Sequence, residues 1–431
     1  MLSSPPVGNF TVQHVSASEI LDSRGTPTVE VSITLAGGEG RASVPSGKST
    51  GRNEALELRD GQPTRYRGMG VQQAISGIDR DIAPVLIGRA LPEQRALDML
   101  LCDLDGTPNK GLLGANAILA VSLAAARARA SVLGLELFRS LNDTASLLPV
   151  PCFNVINGGA HADNALEFQE FMIVPLGAAT FAEALRAGAE IYHTLSDILE
   201  RDHLGISVGD EGGFAPAIAT PVEALDLLVR AITDAGYKPR HDVAIALDPA
   251  ANGFYRDGAY RFGGRAYNSE ELTACYGQWI ERYPIVSIED GLAEDDLTGW
   301  AHLTRTLGSR VRLVGDDIFV SNADRIAEGA SSHLANAVLL KPNQIGTLTE
   351  ITEAAEVAQA EGFRTMMSHR SGETCDAFIA DLAVALNTGQ IKAGAPARGE
   401  RVAKYNRLLA IEHVLGEEAH YAGASAFASG H

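Results

Sequence analysis

In the second half of the chain, charged residues close successive short apolar runs. VAIAL leads into Asp248, IVSI into Glu289, RLVG into Asp316, AVLL into Lys341, TMMS into His369 and QI into Lys392. Three carboxylates are followed by a lysine, a histidine and a second lysine, an order that random solvation of strand ends does not explain. Asp248, Glu289 and Asp316 offer oxygen ligands only, and no cysteine or second histidine stands beside them, so a hard cation is favoured, Mg2+ before others. Such a cation also explains how three crowded carboxylates stay ionised. Facing them, Lys341, His369, Arg370 and Lys392 form a cationic arc suited to a phosphate or carboxylate, with Ser371 as a neutral partner. A lysine accepts a proton near neutrality only if its neighbours depress its ordinary pKa of about 10.4. Lys392 or a bound metal could do so for Lys341, since two like charges about 4 Å apart interact by about 4 kcal/mol at an effective dielectric of 20. The chemistry implied is removal of a proton next to a carboxylate.

The elements that must position these groups follow from their spacing. By subtraction of residue numbers the charges are 41, 27, 25, 28 and 23 apart. After the first gap this matches one strand plus one helix per unit, the rhythm of a barrel whose strand ends share one face. The first gap contains FYRDGAYRF (Phe254–Phe262), in which Asp257 and Gly258 between aromatic runs predict an inserted hairpin. Helical windows are expected at Pro221–Ala235 and Thr347–Glu361. Earlier in the chain, Thr28–Leu35 (TVEVSITL) alternates as a half-buried strand, and Ala115–Leu133 reads as an Ala-rich helix. The polar connection Asn142–Pro151 closes this part. The expectation is therefore an N-terminal α+β capping domain over residues 1–145 and a (β/α)8 barrel over residues 146–431. The residues after Glu418 read as frayed.

Composition narrows the class. The 431 residues are 45% hydrophobic, and 35 Lys plus Arg against 54 Asp plus Glu give a net charge of −19. That field repels nucleic acid and anionic membranes, so an anionic substrate needs a local cationic pocket. No uninterrupted apolar run approaches the roughly 20 residues of a membrane span. Met1–Phe10 reads as a loose tail without signal-peptide character, which makes the cytoplasm the expected compartment. Cys102, Cys152, Cys275 and Cys375 are too scattered for a disulfide frame or a zinc site.

Dense motifs carry a resemblance. ILDSRGTPTVEV (Ile20–Val31), GANAILAVSLA (Gly114–Ala124), FNVINGGAHADN (Phe153–Asn164), FQEFMIVP (Phe168–Pro175) and VGDEGGFAP (Val208–Pro216) are followed by SIEDGLAEDD (Ser287–Asp296), VGDDIFVSN (Val314–Asn322), LLKPNQIGTLTE (Leu339–Glu350) and SHRSGETCDAFIADLAVALNTGQIKAG (Ser368–Gly394). From about Val12 to Gly416 the chain resembles the enolases, the phosphopyruvate hydratases of glycolysis and gluconeogenesis, in their bacterial form. The resemblance implies an enolase-type barrel that dehydrates 2-phospho-D-glycerate to phosphoenolpyruvate. It implies Lys341 as the base and Glu211 as the acid, with Glu170, His161 and His369 around the leaving hydroxyl. Glu170 would raise the pKa of Glu211 by like-charge repulsion. Asp248, Glu289 and Asp316 would hold a structural Mg2+, while Ser46 on a lid loop would meet a second Mg2+ arriving with substrate. Gln169, Lys341, Arg370, Ser371 and Lys392 would contact the substrate. A Lys or His base with Mg2+ is general to the enolase superfamily, so that assignment belongs to the resemblance and not to the spacing.

The resemblance further implies a homodimer or higher homo-oligomer. An RNA-processing assembly, a cell-surface partner and a secondary surface or secreted pool are roles that no residue here derives. The terminal Gly430 and His431, in place of a lysine, weaken plasminogen capture. Two positions depart from the family pattern, which suggests a divergent member. Lys48 stands where Ala is usual and is expected to point to solvent. Cys375 stands where Glu is common, with an expected effect on nearby hydrogen bonding or the following helix. PSGKSTG (Pro45–Gly51) is not a phosphate-binding P-loop, because Ala42 occupies the required glycine position.

Overall fold

The computed structural model describes residues 9–48 and 50–428. The first eight residues of the expected tail, Ser49 within Pro45–Gly51, and Gly430 and His431 lie outside the described residues.

Strands Val12–Leu21, Pro27–Leu35 and Gly38–Ser43 form an antiparallel sheet packed on helix Ala115–Leu133. In the middle strand Val29, Val31, Ile33 and Leu35 are buried while Glu30, Ser32 and Thr34 are partly exposed, as the alternation predicts. The helix crosses the third strand at Gly40, where a Cβ would stand 2.1 Å from the Ala124 carbonyl oxygen and the Ala128 nitrogen. Alanine on one side and glycine on the other permit that approach. By length and composition this helix could cross a membrane, contrary to the reading of uninterrupted runs. However, 72% of its most apolar window is buried inside the fold, where it serves as a core helix.

The remainder forms a closed eight-stranded barrel. Its strands in chain order are Val150–Asn157, Glu170–Val174, Ala244–Asp248, Ile285–Glu289, Arg312–Gly315, Ala337–Leu340, Arg364–Ser368 and Gly389–Lys392. The ladder is visible in these bounds: Asp248, Glu289 and Lys392 end strands, and Asp316, Lys341 and His369 come one residue after. One feature differs from uniform (β/α)8 repetition. The second strand runs antiparallel to both neighbours, and two helices, Phe181–Arg201 and Pro221–Asp234, follow it before the third strand. The barrel interior is filled by small and flexible apolar groups, among them Cys152, Met172, Ala246, Val314, Leu339 and Met366.

The inserted hairpin is present, with Asp257 (φ 53°) and Gly258 (φ 76°) at its turn, and a third short strand, Arg265–Tyr267, extends it. The Asn142–Pro151 connection is shorter than expected because Val150 already begins the barrel. The C-terminal segment is not frayed as far as Ala428. His420–Tyr421 pairs with Leu147–Leu148, Ala422 and Ala426 are buried, and Gln390 Nε2 donates to the Ala426 carbonyl at 3.0 Å.

Candidate active site

The barrel strands place their terminal charges in one buried cluster. Lys392 Nζ reaches Glu289 at 2.7 and 2.8 Å, Asp248 Oδ2 at 3.2 Å and Glu170 Oε1 at 3.4 Å. Burial works against this ammonium, but the carboxylates outweigh it and hold its pKa well above the lysine range. Asp316 does not join that group. It bonds instead to Lys341 Nζ and accepts from Gln344 Nε2 at 2.9 Å. The trio expected to hold one metal ion is therefore divided between two lysines. Among the described residues, the groups with ligand atoms within 4.8 Å of one another are His161, Glu170 and Glu211, and Asp290, Asp316 and Asp317.

The residues that strand spacing did not find arrive by other routes. Glu170 is the first residue of the reversed strand and pairs in register with Asp248, so reversal carries a strand's beginning to the end where other strands finish. Gln169 precedes it, its amide bonded to the Asp248 carbonyl at 3.1 Å. His161 closes a short turn, Gly159–His161, in the loop between the first two strands. Glu211 hangs in the loop between the two consecutive helices, where Asn154 Nδ2 donates to its Oε2 at 2.9 Å. His161 Nδ1 lies 3.6 Å from Glu211 and 3.7 Å from Glu170, and His369 Nε2 lies 3.3 Å from Glu211.

Burial pushes both histidines down, His369 to about 3, so both rings are neutral near pH 7. Burial followed by the charge of Glu211 drives the Glu170 carboxyl well above the carboxylate range. For Glu211, burial acts upward, but the facing ring nitrogens of His369 and His161, His369 Nε2 as a hydrogen-bond donor, act downward and hold the carboxyl below the ordinary range. The like-charge effect expected on Glu211 thus falls on Glu170. For Lys341 the neighbour with the larger effect is Asp316 and not Lys392. Burial depresses it, but the adjoining Asp316 carboxylate outweighs burial and leaves its pKa raised.

Lys341, Lys392, His369, Arg370, Ser371, Asp248, Glu170, Gln169, Glu211 and His161 all wall one cavity. Glu289 and Asp316 are not in its wall, and neither is Ser46. The Ser46 backbone is bridged to Gly372 by bonds of 2.8 and 2.9 Å, while its hydroxyl bonds Glu57 at 3.1 Å and Arg59 at 2.8 Å. The cavity is small, about 20 Å³, room for about one water. A roomier cavity of about 600 Å³ lies in the N-terminal sheet-and-helix region but contains no ladder residue, so chemistry and not size locates the site.

Lys48 is exposed to solvent as expected and also lines the active cavity. Its side chain is 46% exposed, yet its Nζ bonds Asp210 Oδ2 at 2.9 Å, beside Glu211. Cys375 is exposed and takes no part in the wall. Spacing gave no sign of Glu54, which grips Arg370 at 2.9 and 3.1 Å, or of Arg401, whose guanidinium meets His369. Both are distant in sequence from what they touch.

Buried acids and lysines at the strand ends of an eight-stranded barrel, beside a sheet-and-helix domain, define a barrel enzyme equipped for proton transfer. Comparisons agree throughout the chain. The model for the enolase N-terminal domain matches residues 12–141, and that for the enolase C-terminal TIM barrel domain matches residues 145–429. A protein named Enolase from Acidothermus cellulolyticus is 57% identical over 418 residues, covering 96% of this chain and 97% of that one. The chain belongs to the enolase family. Its activity is the phosphopyruvate hydratase reaction, the reversible dehydration of 2-phospho-D-glycerate to phosphoenolpyruvate and water.

Proposed function

We propose that Lys341 removes the α-proton of 2-phosphoglycerate and that Glu211 protonates the departing hydroxyl. The observation that carries this division is that both line the same cavity from separate parts of its wall. Lys341 follows the sixth barrel strand, and Glu211 is bonded to Asn154 of the first. Hydroxide leaves poorly and the intermediate is highly charged, so each end of the reaction needs its own group. His161 and Glu170 flank the acid, and His369 faces it with its Nε2. Gln169, Arg370, Ser371 and Lys392 supply the polar and cationic contacts for the carboxylate and phosphate of the substrate.

The donor set fits Mg2+. Asp248, Glu289 and Asp316 are buried carboxylates on consecutive strands, and Lys392 serves as the cation among two of them. Burial and the charge of Asp248 push Glu289 well above the carboxylate range, the condition a hard cation relieves. Those three residues would hold one Mg2+, and Ser46 would meet a second that arrives with substrate. When bound, the metal supplies charge stabilisation for the substrate carboxylate and competes with Lys341 for Asp316. Residues 1–145 act as the cap and residues 146–431 as the catalytic barrel. The protein works in the cytoplasm on a phosphorylated hydroxy acid, as a homodimer or larger homo-oligomer.

The test mixes purified protein with 2-phosphoglycerate and Mg2+ and follows the ultraviolet absorbance of phosphoenolpyruvate. Turnover that a chelator abolishes is expected, and none from the wild type would overturn the assignment. Exchange of the α-proton with solvent should survive in Glu211→Gln and vanish in Lys341→Ala. The opposite pattern exchanges the two roles.

A further inference from the structure

Arg401, in helix Gly399–Leu415, is fully buried and sits behind the catalytic loops. Its Nη1 meets His369 Nδ1 at 2.6 Å and the Arg370 carbonyl at 2.6 Å. Its Nη2 meets the Ser371 carbonyl at 2.6 Å, the Asp210 carbonyl at 3.0 Å and Ser23 Oγ at 3.4 Å. A guanidinium has donors and no acceptor, so His369 Nδ1 must present its lone pair to it. A neutral ring then carries its one proton on Nε2, the nitrogen 3.3 Å from Glu211 Oε2. The opposite tautomer would set an N–H against the guanidinium and a lone pair against the carboxylate. Both contacts would then be repulsive, at a buried position where screening is weak.

We propose that Arg401 is a positioning residue for the dehydration: it fixes His369 as the neutral Nε2–H tautomer and sets the spacing between His369 and the loop bearing Glu211. The second half of the proposal rests on the bonds to the Asp210 carbonyl and to the carbonyls of Arg370 and Ser371. One planar group thereby ties the residue before Glu211 to the two residues after His369. Apart from this 3.3 Å approach to Glu211, His369 Nε2 has no hydrogen-bond partner among the described residues, which keeps its proton beside the place where the hydroxyl departs. The proposal depends on the reading of Glu211 as the acid, and its first measurement does not.

The full chain is labelled with 15N-histidine, and the His369 signals are identified by their loss in His369→Asn. Two-bond 1H–15N spectra of the wild type with Mg2+ should show His369 Nε2 protonated and Nδ1 unprotonated; the reverse would overturn the proposal. In Arg401→Gln the side-chain amide can accept as well as donate, so the tautomer should become mixed or inverted. Its kcat should fall about 10- to 100-fold, as when a supporting group behind a catalytic side chain is lost, with KM changed less than about threefold. Arg401→Lys restores a donor to Nδ1 and should regain the tautomer and part of kcat. An unchanged tautomer and kcat in Arg401→Gln would also overturn the proposal. If that variant does not fold, the wild-type tautomer and Arg401→Lys decide. Absence of dehydration in the wild type is read separately from absorbance and overturns the reaction assignment itself.

Discussion

Replacing Lys404 by methionine tests how the substrate-binding loop is supported. Lys404 Nζ is buried and donates to Glu373 Oε2 at 2.6 Å, the Thr374 carbonyl at 2.6 Å and the Glu400 carbonyl at 2.8 Å. Glu373 in turn accepts from the amides of Arg370 at 3.3 Å and Thr374 at 3.1 Å, folding the turn that carries Arg370 and Ser371. Methionine keeps most of the volume but leaves Glu373 charged, buried and held only by those two amides. Breaking a buried pair from one side costs about 3–5 kcal/mol, and the remaining amides place this case near 3. Glu373→Gln on the same background removes the stranded charge while retaining an acceptor. The double variant should therefore be only about 1 kcal/mol below wild type, recovering about 2 kcal/mol of the loss in Lys404→Met. Urea unfolding followed by circular dichroism gives the differences where the slope is unchanged. The single variant should also raise KM severalfold, because Arg370 and Ser371 lose their fixed turn. A loss below about 1 kcal/mol for Lys404→Met, or additive effects in the double variant, would refute the reasoning.

Other consequences are as direct. A Cβ on Gly47 would stand 2.0 Å from Arg370 Nη2, so Gly47→Ala should displace that guanidinium and raise KM for 2-phosphoglycerate at least about tenfold, with unchanged kinetics as the contrary result. The buried His369, pushed down to about 3, binds its proton more weakly folded than unfolded. Its stability contribution is therefore complete above about pH 6.5 and declines by about 1.4 kcal/mol per unit as pH falls towards 3. Its NMR signals should not titrate between pH 5 and 8, whereas a midpoint in that interval contradicts the burial argument. Lys48→Ala removes a half-exposed ion pair, so stability should change by less than about 1 kcal/mol. Substrate affinity should fall a few-fold at low ionic strength with a shallower salt dependence, and an unaltered salt slope would show that Lys48 does not act on substrate.

The ladder was legible because its cause is local. A strand ending in a charge, repeated once per strand and helix, sends every such charge to one end of a barrel, so Asp248, Glu289, Asp316, Lys341, His369 and Lys392 announce themselves by spacing. The motifs around Ser46, His161, Gln169, Glu170 and Glu211 were recognisable only through family resemblance, for reasons visible in the fold. Glu170 begins a strand that runs the other way, Glu211 lies between two consecutive helices, and Ser46 belongs to the cap. Arg401 had no signal, since its meeting with His369 joins positions in different elements that only packing brings together.

The sequence by itself determined the ends of the barrel strands, the alternating sheet, the Ala-rich helix and an acidic surface that demands a cationic pocket. Each follows from residue order along a few turns or strands. Only the tertiary structure decided how the charges are partnered: Asp316 with Lys341, Lys392 among Glu170, Asp248 and Glu289, and Arg401 on His369. Proton occupancy follows from those partnerships, because in a buried site electrostatic energy depends on separations of a few ångströms that sequence spacing does not contain. Hence Glu170 is pushed up by its neighbour Glu211, and Lys341 is raised by the adjoining Asp316.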